Sequence, residues 1–130
     1  MLVVDASTAL TACASPDGFA QFGKEQLFAP PLLWSECRSV LHERVWRLEL
    51  EEELAIRSLD VLQRGPIRAR THGRLGITAW TIAGELGWAK TYDAEYLALA
   101  QLLRCRLVTL DARLRRGADR LGFVVGPTEL

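Results

Sequence analysis

Leu2-Val3-Val4-Asp5 near the start and Leu107-Val108-Thr109-Leu110-Asp111 near the end decide the fold. Each is an aliphatic run that stops at an aspartate and gives way to a helix-like segment. Strands of a parallel sheet are covered on both faces by their crossover helices, so they read as continuous apolar runs. In open α/β sheets, ligands bind beyond the carboxyl ends of the strands. Both acids are therefore expected at one crevice.

The rest of the chain supplies the layers. Ser7 to Cys13 reads as a short helix closed by the turn Ser15-Pro16-Asp17-Gly18. Leu27 to Ala29 is a brief strand, and Pro31 is expected at the first position of the next helix. Leu33, Cys37, Val40, Leu41, Val45 and Leu48 recur at helical spacing as one apolar stripe. Glu51, Glu52 and Glu53 mark the N-terminal end of a further helix, which carries Leu54, Leu59 and Leu62 and stops at Gly65-Pro66. Ile67 to Ala69 is a third strand, Leu75 to Leu86 a helix ended by Gly87, and Asp93 to Leu103 a helix apolar on nearly every side. A strand ending at Asp111, a short basic helix and a last strand, Phe123 to Val125, complete the chain. This alternation predicts a single domain over residues 1–130, of α/β class: a three-layer α/β/α architecture with a mostly parallel central sheet and right-handed crossovers.

Bulk properties narrow the function classes. With 49% hydrophobic and 25% charged residues the chain has the composition of a packed domain, not a disordered one. A formal net charge of zero gives no overall pull toward nucleic acid or membrane. No apolar run is long enough to span a bilayer, and no leader signature precedes the first strand. Cys13, Cys37 and Cys105 are odd in number and set in apolar or helical surroundings. They fit reduced core thiols better than a disulfide framework or a zinc site, and a cytoplasmic setting is expected.

Four acids sit in apolar company: Asp5, Glu36 on the flank of the long helix's stripe, Asp93 at the start of the apolar helix, and Asp111. Each has an ordinary reading by itself. Asp5, Asp93 and Asp111 suit helix N-caps, a role that contributes about 1 kcal/mol, and Glu36 suits a solvated flank. Gathered at one sheet edge, however, four carboxylates repel and raise one another's pKa values. A divalent cation removes that cost. Mg²⁺ and Mn²⁺ favour oxygen donors, and such ions activate water and stabilise the leaving oxygen of a phosphodiester. The pattern points to a metal-dependent nuclease or phosphatase.

Val3-Val4-Asp5-Ala6-Ser7, Glu36, Tyr92-Asp93-Ala94-Glu95-Tyr96-Leu97-Ala98-Leu99-Ala100 and Leu107-Val108-Thr109-Leu110-Asp111 together resemble a PIN domain. More narrowly, the chain is similar to the VapC ribonuclease toxins of bacterial toxin–antitoxin pairs, over essentially its whole length. The resemblance implies that Asp5, Glu36, Asp93 and Asp111 are the metal-binding and catalytic acids, holding Mg²⁺ or Mn²⁺. Ser7 and Thr109 would be polar supports for them. Ser39 stands where the family often has an Asn, a shorter support at that position. The resemblance further implies hydrolysis of RNA, a small antitoxin protein that covers the site and inserts an Arg among the acids, and a homodimer.

Two other classes compete. A phosphatase of the haloacid dehalogenase type also begins with a strand and Asp, but needs a second Asp where this chain has Ser7. A catalytically silent PIN-like module that only binds RNA or a partner has no use for four repelling acids. His42 and His72 belong to no catalytic constellation and are expected at the surface. Fourteen of the sixteen basic residues are Arg, and Arg113 and Arg116, following Asp111, are the candidates for contact with RNA phosphates. No stretch of interleaved basic and aromatic residues marks a base-stacking platform. Trp34, Trp46, Trp80 and Trp88 are expected mostly in the core or lining grooves.

Overall fold

The structure is a computed structural model that describes residues 1–130. Its strands are short: β1 (Leu2–Val4), β2 (Leu27–Ala29), β3 (Ile67–Ala69), β4 (Arg106–Val108) and β5 (Val124–Val125). They form one sheet in the order β3-β2-β1-β4-β5, with every neighbouring pair parallel. Val3 lies opposite Phe28 on one side and Leu107 on the other. The expected mostly parallel sheet is wholly parallel.

Six helices connect the strands: α1 (Ala6–Ala14), α2 (Leu32–Trp46), α3 (Glu52–Arg64), α4 (Leu75–Leu86), α5 (Tyr92–Leu103) and α6 (Ala112–Ala118). α1, α2 and α3 pack together, while α4 packs on α5 and α5 lies against β1 and β4. Connections leaving β1 step outward to β2 and β3, whereas the connection leaving β4 steps the other way to β5. Crossovers of one hand that step in opposite directions put their helices on opposite faces, which makes three layers. The reversal falls between β1 and β4, so the crevice of this sheet opens at their carboxyl ends. Asp5 and Asp111 follow those two strands.

The core is one cluster that joins the sheet to both helical layers. β1 is buried throughout, and α5 buries Ala94 and every residue from Tyr96 to Ala100, as its all-round apolar sequence requires. Burying one Leu or Val side chain fully contributes about 1.5–3 kcal/mol, so α5 and β1 anchor the site from below. Cys13, Cys37 and Cys105 are free thiols. No helix is long and apolar enough to cross a membrane.

Several boundaries differ from the sequence reading, each for a local reason. Pro31 is the N-cap of α2, one position before the helix, and has no N–H to offer it. The apolar stripe of α2 does not reach Leu48. The helix ends in a Schellman turn, in which Glu49 N–H donates to Arg44 O at 2.9 Å and Leu48 N–H to Val45 O at 3.0 Å. Leu48 is left at φ 59° and 93% exposed. Leu54, expected on the buried stripe of α3, is also exposed. β4 stops at Val108, so Thr109 and Leu110 form a link outside the strand. β5 begins at Val124, one residue later than expected. Trp34 and Trp88 pack against the core, but Trp46 and Trp80 are exposed. Helical spacing locates a face; it does not say whether another layer covers that face.

Candidate active site

Asp5 sits at the foot of the crevice, 5% exposed, and three donors hold its carboxylate. Oδ1 accepts from Ser7 Oγ at 2.8 Å and from Thr8 N–H at 3.0 Å, and Oδ2 accepts from Thr109 Oγ1 at 2.5 Å. The two hydroxyls are themselves oriented. Leu110 N–H donates to Ser7 Oγ at 3.1 Å and Asp111 N–H to Thr109 Oγ1 at 3.0 Å, which commits each hydroxyl proton to Asp5. Thr8 Oγ1 adds a tie to Val108 O at 3.0 Å. The ends of β1 and β4 are thus stitched together through the supports Ser7 and Thr109.

Asp111 is the N-cap of α6, its Oδ1 accepting from Arg113 N–H at 2.9 Å and Leu114 N–H at 3.3 Å. Asp5 likewise caps α1. Asp93 does not cap. α5 begins at Tyr92 with Thr91 as N-cap, so Asp93 is the second helical residue. The capping explanation therefore holds for Asp5 and Asp111 and fails for Asp93. Glu36, half-buried on the second turn of α2, accepts from the hydroxyl of Tyr96 at 3.0 Å. Tyr96 is buried in α5, and burial and the Glu36 carboxylate both push its pKa upward, so it stays a donor.

Glu36, Asp93 and Asp111 line one open cleft of about 820 Å³, together with Ser39, Leu32, Ser35, Trp88, Lys90, Tyr92 and Arg113. No ion pair of the protein involves any of the four acids. Two of them, Glu36 and Asp93, lie above the ordinary carboxylate range. Glu36 is raised by burial and by Asp93, Asp5 and Glu95, against the lowering effect of the Tyr96 hydrogen bond. Asp93 is raised by burial and by Asp111 and Asp5, partly offset by Arg113. As the side chains stand, no three acids close around a single point tightly enough to hold an ion unaided. The donor set is oxygen alone. Cys37 adjoins Glu36, but burial above all pushes its thiol up to about 12, which leaves no thiolate ligand. Carboxylates around a roomy cleft fit a hard cation that retains several of its waters.

Arg113 reaches this cleft, whereas Arg116 is exposed elsewhere on α6. His42 and His72 are exposed, as expected. Sequence reading missed Tyr96 as the partner of Glu36 and missed Lys90 and Tyr92 as cleft walls, whereas Trp88 lines a groove as expected. A signal existed for some of them: Tyr96 follows Asp93 by one helical turn, and Lys90 and Tyr92 are its near neighbours in sequence.

Residues 2–120 match the model of the PIN domain family. A VapC ribonuclease of Mycobacterium bovis is 38% identical over 116 residues, covering 88% of each chain. Ribonuclease VapC9 of Mycobacterium tuberculosis matches with the same identity and coverage. Among solved structures, that of PAE2754 from Pyrobaculum aerophilum superposes with a TM-score of 0.78. At 23% identity, over 98% of this chain and 90% of that one, this likeness speaks for the fold alone. On these grounds the chain belongs to the PIN-domain family, as a VapC-type member of it.

Proposed function

We propose that this protein is a Mg²⁺- or Mn²⁺-dependent endoribonuclease acting as the toxin of a type II toxin–antitoxin pair. One observation carries the reading: Glu36, Asp93 and Asp111 line a single cleft, the buried Asp5 carboxylate acts on Glu36 and Asp93, and no basic side chain pairs with any of the four. The ribonuclease names of the relatives support the same chemistry.

In this reading Asp5, Glu36, Asp93 and Asp111 hold the cation. When bound, the ion supplies charge stabilisation at the phosphoryl oxygens and a more acidic water. The protein's part is to fix the acids. Ser7, Thr109 and Thr8 N–H lock Asp5 in one orientation, Tyr96 holds one oxygen of Glu36, and the start of α6 orients Asp111. The reaction is addition of water at phosphorus with loss of the 3′ oxygen. Ser7 donates to Asp5 and does not replace the second Asp of a phosphatase. An antitoxin that places an Arg among the acids would satisfy the same unbalanced charge. The exposed Ile77 and Trp80 of α4 suit a homodimer contact, and the free thiols suit a reducing cytoplasm.

The test is incubation of the purified protein with total RNA, with Mn²⁺ or with chelator, followed by mapping of new 5′ ends. Cleavage that needs the ion, and that Asp5→Asn and Asp93→Asn lose while remaining folded, is the expected result. Both variants cutting at the wild-type rate would overturn the assignment, and RNA binding without cleavage would favour the silent module.

A further inference from the structure

Charge is unevenly spread along this neutral chain. Between Asp60 and Glu85 there is no carboxylate, while Arg64, Arg68, Arg70 and Arg74 fall in that stretch together with His72. Arg64 is paired with Asp60. The other three arginines have no ion-pair partner. Every residue from Arg68 to Arg74 is exposed, along β3 and the link that leads to α4.

β3 is an edge strand, so no strand pairs with its outer side. Arg68 lies opposite Phe28 of β2, which places the two side chains on one face of the sheet. Arg70 N–H continues the ladder to Ala29 O at 2.9 Å, and the Arg70 guanidinium sits 5.3 Å from the centre of the Phe28 ring. Arg68 and Arg70 therefore share that face. A guanidinium stacked on a ring keeps its N–H edge free for an anion. His72 is oriented too: its Nδ1 accepts from Arg74 N–H at 3.0 Å, which leaves Nε2 to carry the proton. Alternate residues of an extended chain repeat about every 6.5 Å, a step close to that between successive phosphates of a nucleic-acid strand. Charges on an edge strand also guard against stray strand pairing. That purpose requires neither a single sign nor continuation past the strand to Arg74.

Because the sheet is wholly parallel, the carboxyl end of β3 is on the same rim as those of β1 and β4. Only β2 separates β3 from β1, a lateral step of about 10 Å. None of residues 68–74 lines the acid-bearing cleft. We propose that Arg68, Arg70, His72 and Arg74 form a basic strip, outside the cleft, that holds the phosphate backbone of RNA flanking the bond to be cut. This rests on the ribonuclease reading and adds to it a second, sequence-independent contact with the substrate.

The experiment is fluorescence anisotropy of the full-length protein with a fluorescein-labelled RNA strand of about 40 nucleotides, longer than one small domain covers, in chelator to prevent cutting. The strip variant is Arg68→Gln/Arg74→Gln, with Arg70 left in place because it covers Phe28. The control is Arg57→Gln/Arg104→Gln, which removes the same charge from exposed positions on α3 and just after α5. The strip variant should bind about 3- to 30-fold more weakly, and its slope of log affinity against log salt should fall by about 1.4. The control should stay within about 2-fold of wild type, because salt screens distant charges. Mn²⁺ affinity of the strip variant should equal that of wild type. Unchanged RNA affinity and slope in the strip variant, or equal losses in both variants, would overturn the inference. A loss of Mn²⁺ affinity would overturn it as well, since the substitutions would then act through the acids. So would a strip variant that keeps RNA affinity but loses binding to a labelled polyglutamate peptide, which would assign the surface to an acidic protein partner. If wild type cuts RNA with Mn²⁺ in any of these cases, only this inference falls. A wild type that neither binds nor cuts RNA removes the ribonuclease reading with it.

Discussion

The hydroxyl of Tyr96 donates to Glu36 Oε1 at 3.0 Å, joining the buried helix α5 to the flank of α2. One oxygen of Glu36 is thereby fixed. Tyr96→Phe removes the donor and keeps the ring. Hydrogen bonds to charged groups contribute about 1.5–3 kcal/mol, so unfolding in urea should show a loss near the lower end of that range, since Glu36 is only half-buried. Mn²⁺ affinity should fall as well, about 10-fold, as expected when a ligand loses its orienting partner. A variant with wild-type stability and wild-type Mn²⁺ affinity would show that this bond does not position Glu36.

Asp5 offers a parallel case with two supports. Thr109→Val deletes the hydroxyl that donates to Oδ2, and Ser7→Ala the one that donates to Oδ1. Each should lower the single-turnover cleavage rate by about 10- to 100-fold. Circular dichroism should remain native, because Thr8 N–H still holds Oδ1. The double variant should lose less than the product of the two, since both act on one carboxylate.

The raised acids set a pH dependence for the metal-free protein. Asp93 and Glu36 are pushed above their ordinary values of 3.8 and 4.5, by burial first and then by neighbouring carboxylates. An acid raised on folding favours the protonated native state. Its penalty is absent below the ordinary value and grows as pH rises through the raised one. In chelator, Asp93→Asn should therefore melt higher than wild type at neutral pH, by a few degrees, and the two curves should converge as pH falls toward 3.8. Added Mn²⁺ should reverse the order by stabilising only the wild type. A wild type that is the more stable of the two in chelator at neutral pH would contradict the repulsion.

Leu48 is one of two non-glycine residues in the left-handed region, with Arg104, and tests a strained turn that sequence reading passed over. An L-residue in the left-handed region costs about 1–2 kcal/mol, and at 93% exposure its side chain returns nothing in packing. Leu48→Gly should raise Tm by a few degrees in thermal melting, with cleavage unchanged. A lower Tm would mean that Leu48 makes contacts not present in this structure.

The strands, and the positions of Asp5 and Asp111 just beyond two of them, were legible because each leaves a one-dimensional trace. Parallel strands such as Leu2–Val4 are buried on both faces, so three apolar residues followed by Asp suffice to mark one. What failed to show were relations between distant segments. Trp46 and Trp80 sit at ordinary helical positions, and only the layers reveal that nothing covers them. The role of Asp93 as cap or site acid turned on a single residue of helix start, at Tyr92, which propensity does not resolve. The bond from Tyr96 to Glu36 spans 60 residues and depends on how α5 meets α2. The cleft's aromatic and cationic wall arises from the left-handed turn at Gly87, which reads in sequence only as a helix stop.

The most direct measurement is titration of the metal-free protein with Mn²⁺, followed by electron paramagnetic resonance, for wild type and for Asp5→Asn, Glu36→Gln, Asp93→Asn and Asp111→Asn. If the four acids serve one cation centre, wild type binds the ion and every variant weakens binding by about 10-fold or more. Wild-type affinity in two or more of the variants would contradict a shared centre.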